Sequence, residues 1–135
     1  MRTKNKKTTP VNKSGTGSQK VYFDGSGCKP DGKGSGFAWI SIPGERHIER
    51  KDGLTNNQAE YHGFISALTA LSHNASAEMF SDSQVVCCQF NGLYKVGNST
   101  LAELLSAARS IVEQRKLKIT LTWVPRDRNL AGRLL

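Results

Sequence analysis

Three acidic residues stand in three different short polar motifs: Asp24 in Tyr22-Phe23-Asp24-Gly25-Ser26-Gly27, Glu60 in Thr55-Asn56-Asn57-Gln58-Ala59-Glu60, and Asp82 in Phe80-Ser81-Asp82-Ser83-Gln84. Each lies at or just beyond an apolar stretch, so one compact fold could gather all three. A carboxylate cluster is what magnesium chemistry on phosphates requires, because hard cations take oxygen ligands and two of them can clamp both sides of a phosphoryl displacement. Singly, the motifs are ordinary. Asp24-Gly25 is a turn signal, a glutamate on a helix is usually solvated, and Asp82-Ser83 reads as a helix start. Their joint occurrence carries the chemical expectation.

The surrounding pattern supplies elements that would hold them. Residues 20–24 read as a short strand that ends at Asp24, and four glycines or prolines within 28–36 read as a turn. Residues 37–42 form an apolar second strand, closed by Pro43-Gly44. Residues 45–51 return as a polar third strand, whose charges suit a sheet edge. From Thr55 the period becomes helical. Thr55 with Gln58 fits a capping box, and Tyr61, Phe64, Ile65, Leu68 and Leu71 follow on one face, with Glu60 in the second turn. Residues 77–80 form a buried strand leading to Asp82, and a helix begins after Ser83. Thr100 with Glu103 suggests a second capping box ahead of a helix, and Leu117, Ile119, Leu121 and Trp123 alternate with polar residues as a half-buried strand. The predicted order is βββαβαβ, with one or more helices before the last strand. That order implies an α/β fold with a mixed sheet, antiparallel first and parallel later. Ligands of such sheets gather at the carboxyl ends of parallel strands.

At 135 residues the chain is one domain in length. Its net charge of +8 suggests a polyanionic partner, but six of the 19 basic residues fall within residues 1–20, where no acid stands. The body then carries 13 basic residues against 11 acidic ones, so the attraction resides largely in the tail. Residues 1–18 hold almost nothing to bury and are expected to form a disordered basic tail, with the domain spanning 19–135. Cys28, Cys87 and Cys88 give neither a disulfide framework nor metal-finger spacing, which suits a reducing interior. The sequence lacks an apolar run of membrane length and an apolar leader, so no membrane partner and a cytoplasmic location are expected.

These motifs, in this order, resemble type 1 ribonuclease H over residues 20–135. Asp24-Gly25-Ser26, Thr55-Asn56-Asn57 with Glu60, Asp82-Ser83-Gln84 and the closing Trp123-Val124-Pro125-Arg126 carry the likeness. The resemblance implies a ribonuclease H-like five-stranded sheet flanked by helices, in a compact form without a basic protrusion. It implies an endonuclease that hydrolyses the RNA strand of RNA/DNA hybrids with two magnesium ions, leaving 3′-hydroxyl and 5′-phosphate ends. By similarity, Asp24, Glu60 and Asp82 hold the metals. Gly25, Ser26, Cys28, Asn56 and Gln84 approach the RNA strand, where ribose 2′-hydroxyls distinguish RNA from DNA. Asn57 and Gln84 reach toward the minor groove, Thr55 toward a DNA phosphate, and a monomer is expected.

The chain departs from the family at the fourth carboxylate, an Asp near the start of the last helix. Aligning Asn129-Leu130-Ala131 with that Asp and its following Leu-Ala puts Asn129 at the fourth metal position, the favoured alignment because an amide oxygen can ligate magnesium. A shifted alignment puts Arg133 there instead. Asp127 is a less favoured substitute, and an acid beyond Leu135 is a further alternative. Three charges facing two ions imply weaker binding of the water-activating ion and a leaning toward manganese. The chain has no His after His73 to match the family's mobile histidine, and residues 91–100 are too short for the protrusion of longer members. His62, two positions from Glu60, faces away from it. Trp39 and Trp123 are expected to anchor the core.

A second function class stays open beside the nuclease: a hybrid-binding or double-stranded-RNA-binding module that keeps the fold without chemistry. A resolvase- or transposase-type nuclease of the same superfold is a third, against which the Thr55-Asn56-Asn57 and Ser83-Gln84 contexts argue.

Overall fold

The computed structural model describes residues 19–135; the basic tail expected over 1–18 lies outside the described residues. The elements run β1 (Gln19–Ser26), β2 (Gly36–Ile42), β3 (Arg46–Arg50), α1 (Asn56–Ala70), β4 (Ser76–Ser81), α2 (Gln84–Phe90), α3 (Ser99–Gln114) and β5 (Lys118–Trp123), followed by 3-10 turns at Arg126–Arg128 and Leu130–Leu134. The sheet order is β3-β2-β1-β4-β5. β1, β2 and β3 pair antiparallel, whereas β1 with β4 and β4 with β5 pair parallel, as the motif order requires. β1 therefore sits at the centre, where its direction is fixed on both sides.

One face of the sheet makes the core. Val21 and Phe23 of β1, Trp39 of β2, Met79 of β4 and Leu121 of β5 point into a cluster closed by Tyr61, Phe64 and Leu68 of α1 and by Leu101 and Leu105 of α3. Phe64 stacks on Phe23 with ring centroids 4.9 Å apart, and Phe90 meets Phe64 edge-on at 5.0 Å. Each fully buried aromatic side chain contributes about 2–3 kcal/mol, so this contact fixes α1 against β1. At the helix start, the Thr55 hydroxyl accepts from Gln58 N–H and the Gln58 side chain accepts from Thr55 N–H, the reciprocal box expected from the sequence. β3 is exposed along its whole length, as a charged edge strand should be.

Two expectations change. α3 starts at Ser99 on an Asn98 cap, whose side-chain oxygen accepts from Leu101 N–H at 3.0 Å, and not on Thr100. Asparagine competes well for the cap position, and starting two residues earlier still turns Leu101 and Leu105 inward. Trp39 is buried, with its indole N–H donating to Ser66 Oγ. Trp123 is 45% exposed, because β5 is the other edge and only Leu121 of that strand is buried. Cys28, Cys87 and Cys88 are free thiols. No helix among the described residues is long and apolar enough to cross a membrane.

Candidate metal centre

Parallel pairing aligns Asp24 with Asp82. The last paired residues of β1 and β4 are Tyr22 and Phe80, so two further steps on each strand bring the two aspartates level at the carboxyl edge of the sheet. Glu60 arrives from α1 because β1 and α1 approach unusually closely. A Cβ on Gly25 would lie 2.2 Å from the Ala59 carbonyl carbon, one on Gly27 would lie 2.5 Å from Asn56 N, and one on Gly63 would lie 2.8 Å from Asp24 O. Real Cβ atoms cannot come so near backbone, so these three glycines form the seam that lets the second turn of α1 lie against the end of β1. The result brings one ligand atom each of Asp24, Glu60 and Asp82 within 4.8 Å of one another.

Three carboxylates so close, and half-buried, resist full ionisation. Burial, then the neighbouring Asp82 charge, raise Asp24 from 3.8 to about 6, against donation from Gly25 N–H, the Arg126 charge and a hydrogen bond from Glu60. Burial, then the Asp24 charge, raise Glu60 from 4.5 to about 8, and a hydrogen bond from Ser83 opposes the rise. The Asp24–Glu60 hydrogen bond favours charge on Asp24 and the proton on Glu60. Near neutral pH, Glu60 therefore keeps a proton that a divalent cation would expel. The donor set is all hard oxygen, which suits a divalent cation such as magnesium or manganese.

The neighbours of Asp82 are specific. The Asn129 side-chain NH2 donates to Asp82 Oδ1 at 2.6 Å and to Phe23 O at 2.9 Å, while Asn129 Oδ1 accepts from Ala131 N–H at 3.1 Å. A backbone carbonyl can only accept and a backbone N–H can only donate, so these two partners fix the amide orientation. Asn129 thus reaches the carboxylates, as the sequence suggested, but it turns its NH2 toward them and its oxygen toward Ala131. The side chain of Arg133, the alternative occupant, belongs to an exposed residue, and Asp127 is exposed on the preceding turn. Arg126 Nε lies 3.6 Å from Asp82 Oδ2, and the Trp123 indole N–H donates to Asp82 O at 3.1 Å. Ser83 caps α2 by accepting from Val86 N–H, which leaves its hydroxyl proton for Glu60.

The residues expected on the substrate side rim this cluster. Gly25 and Ser26 end β1, and Asn56 Oδ1 accepts from Gly27 N–H at 2.6 Å, which ties the β1 end to the α1 start. Thr55 is an exposed cap, Asn57 is half-buried and Gln84 is exposed at the first position of α2. Cys28 donates its N–H to Leu54 O at 2.8 Å, so that amide already has a partner. His62 stacks on Phe37 at 5.6 Å, away from the carboxylates. Sequence patterns alone did not single out Ser83, Arg126, Gly27 or Gly63. For Ser83 the available signal was its place directly after Asp82 at a helix start.

The RNase H family model matches residues 17–127. The chain belongs to the ribonuclease H family. That match ends two residues short of Asn129. Ribonuclease HI of Halobacterium salinarum is 30% identical over 116 residues, covering 81% of this chain and 57% of that protein. The bifunctional protein Rv2228c of Mycobacterium tuberculosis is 39% identical over 77 residues, covering 56% of this chain and 21% of the relative. This ribonuclease H family chain therefore spans about a fifth to a little over half the length of these curated relatives. Among solved structures, LC11-RNase H1 in complex with an RNA/DNA hybrid superposes with a TM-score of 0.78 at 25% identity, over 87% of this chain and 93% of that one.

Proposed function

We propose that this chain is an endonuclease that hydrolyses the RNA strand of RNA/DNA hybrids, with 3′-hydroxyl and 5′-phosphate products. The observation that carries the proposal is the convergence of Asp24, Glu60 and Asp82 to within 4.8 Å at the carboxyl edge of the parallel strands. Membership in the ribonuclease H family and the fold shared with a hybrid-bound relative support it. Asp24, Glu60 and Asp82 would hold divalent ions, magnesium or manganese, which when bound would supply an acidified water and a charge sink for the departing 3′ oxygen. Asn129 joins the site by holding Asp82, and would act as a ligand only if its oxygen left Ala131. Glu60 would give up its proton on binding such ions. Gly25, Ser26, Cys28, Thr55, Asn56, Asn57 and Gln84 form the rim along which the hybrid would lie, and main-chain and amide groups there suit ribose and groove edges. The protein would act as a monomer in the cytoplasm, with residues 1–18 adding nonspecific attraction to phosphates.

One observation favours the alternative of a hybrid-binding module without chemistry: an amide, not a fourth carboxylate, contacts Asp82. Against it stands the electrostatic penalty on Asp24 and Glu60, which binding alone would not need. Incubating the protein with labelled RNA/DNA hybrid, DNA duplex and RNA duplex, in magnesium, manganese or chelator, decides between them. Ion-dependent cleavage confined to the RNA strand of the hybrid establishes the nuclease; binding without cleavage establishes the module.

A further inference from the structure

Asp82 is held unequally at its two oxygens. Oδ1 receives the Asn129 NH2 at 2.6 Å, and Asn129 is itself buried and bonded to two backbone groups. Oδ2 faces Arg126 Nε at 3.6 Å, well outside the distance of a charge-assisted hydrogen bond. The Asp82 side chain is 8% exposed and that of Arg126 is 92% exposed. The first contact is a fixed support and the second a loose ionic one, readily broken because water can take over either partner. The Arg126 charge also acts on Asp24, so two of the three carboxylates feel it. Its backbone is anchored separately: Arg126 O accepts from Asn129 N–H at 3.1 Å, which keeps the turn in place wherever the side chain points.

A divalent ion bound by Asp82 would come close to the Arg126 guanidinium, whose Nε lies 3.6 Å from Oδ2. It would then meet a like charge and drive the guanidinium away. A freed guanidinium at the mouth of a site for nucleic acid has an obvious acceptor in a phosphodiester, which it matches geometrically. We propose that Arg126 is a two-position arm: a resident counter-ion for Asp82 when the site is ion-free, and a contact to the hybrid's phosphate backbone once ions are bound. The inference rests on the nuclease reading of the site and names a residue that couples ion entry to substrate grip.

The test uses Arg126→Gln and Arg126→Lys, both at an exposed side chain whose loss leaves the core intact. Calorimetric titration of the hybrid-free protein with manganese chloride should show about threefold to tenfold tighter binding for the Gln variant, because a competing cation is gone, and near-wild-type binding for Lys. In calcium, which takes the same oxygen ligands, fluorescence anisotropy with a short RNA/DNA hybrid should show the opposite. Affinity of the Gln variant should fall about threefold to tenfold, and its salt slope should flatten by about one phosphate contact. A Gln variant with unchanged or weaker manganese affinity, or with an unchanged salt slope, overturns the arm. Wild-type protein that binds no manganese at all overturns the nuclease reading as well, so the two failures are separable.

Discussion

Asn129 and Asp82, 47 residues apart in sequence, meet through a 2.6 Å hydrogen bond in which the amide donates and the carboxylate accepts. Because the same amide bonds Phe23 O and Ala131 N–H, Asn129 ties together the β1 end, the β4 end and the closing turn. Replacing it by alanine should leave buried groups unpaired and cost about 2–4 kcal/mol. Thermal unfolding in chelator would register this as a fall on the order of 10 °C. Asn129→Asp should be destabilised too when ion-free, since it sets a carboxylate against Asp82, but should recover with manganese. An aspartate variant whose melting temperature ignores manganese would remove position 129 from the ion's surroundings.

Asp24→Asn should separate stability from activity. Removing a carboxylate that burial and its neighbours hold up to about 6 relieves repulsion. The ion-free variant should melt at or above the wild-type temperature while hybrid cleavage falls on the order of 10²–10³-fold or more. A destabilised variant with intact cleavage would contradict both halves.

The pH dependence of the ion-free protein has a definite sign. Asp24 moves from 3.8 to about 6 and Glu60 from 4.5 to about 8 on folding, so between those limits the folded state binds more protons than the unfolded chain. The contribution is fully present below pH ~4 and is lost as pH rises toward 8. Urea midpoints in chelator should therefore fall from pH 5 to pH 8, and Glu60→Gln should fall less steeply. Ion binding should release a proton near neutral pH, and its apparent affinity should rise with pH until about 8. Titration in buffers of different ionisation enthalpy measures that proton; equal heats would mean Glu60 is already ionised.

Gly25→Ala tests the seam between β1 and α1. Its added Cβ would stand 2.2 Å from Ala59 backbone, which no side-chain rotation can relieve. A loss of about 3 kcal/mol or more is expected, at the upper end of overpacking penalties. Gly44→Ala meets no neighbour within 4 Å and controls for backbone effects, although its positive φ carries some strain of its own. Equal melting temperatures for the Gly25 variant and wild type would mean that α1 moves freely.

Where local chemistry decides an element, the sequence was legible. The Thr55-Gln58 box and the helical face from Tyr61 to Leu68 stand as expected, because each depends on neighbours a few residues away, whereas the first strand, expected to end at Asp24, runs on to Ser26 through its pairing with β2. The three carboxylates were legible as motifs, and their convergence followed from the order of strands. What escaped depends on distant partners. Trp123 has the alternation of a core strand but lies where no further strand covers it. Asn129 carries an oxygen that could face a cation, yet the polarity of Phe23 O and Ala131 N–H turns the amide round. Gly63 looks like a weak point in a helix until Asp24 O is found against it.

The pairing of β1 with β4 has an implication for how the protein's quality is judged. Asp24 and Asp82 are level only in the register that sets Tyr22 beside Phe80. A slip of one residue would displace one aspartate by about 3.3 Å and turn it to the other face of the sheet. Manganese uptake by a refolded or stored sample would then count the molecules with correctly aligned strands, a census that circular dichroism, blind to register, does not provide.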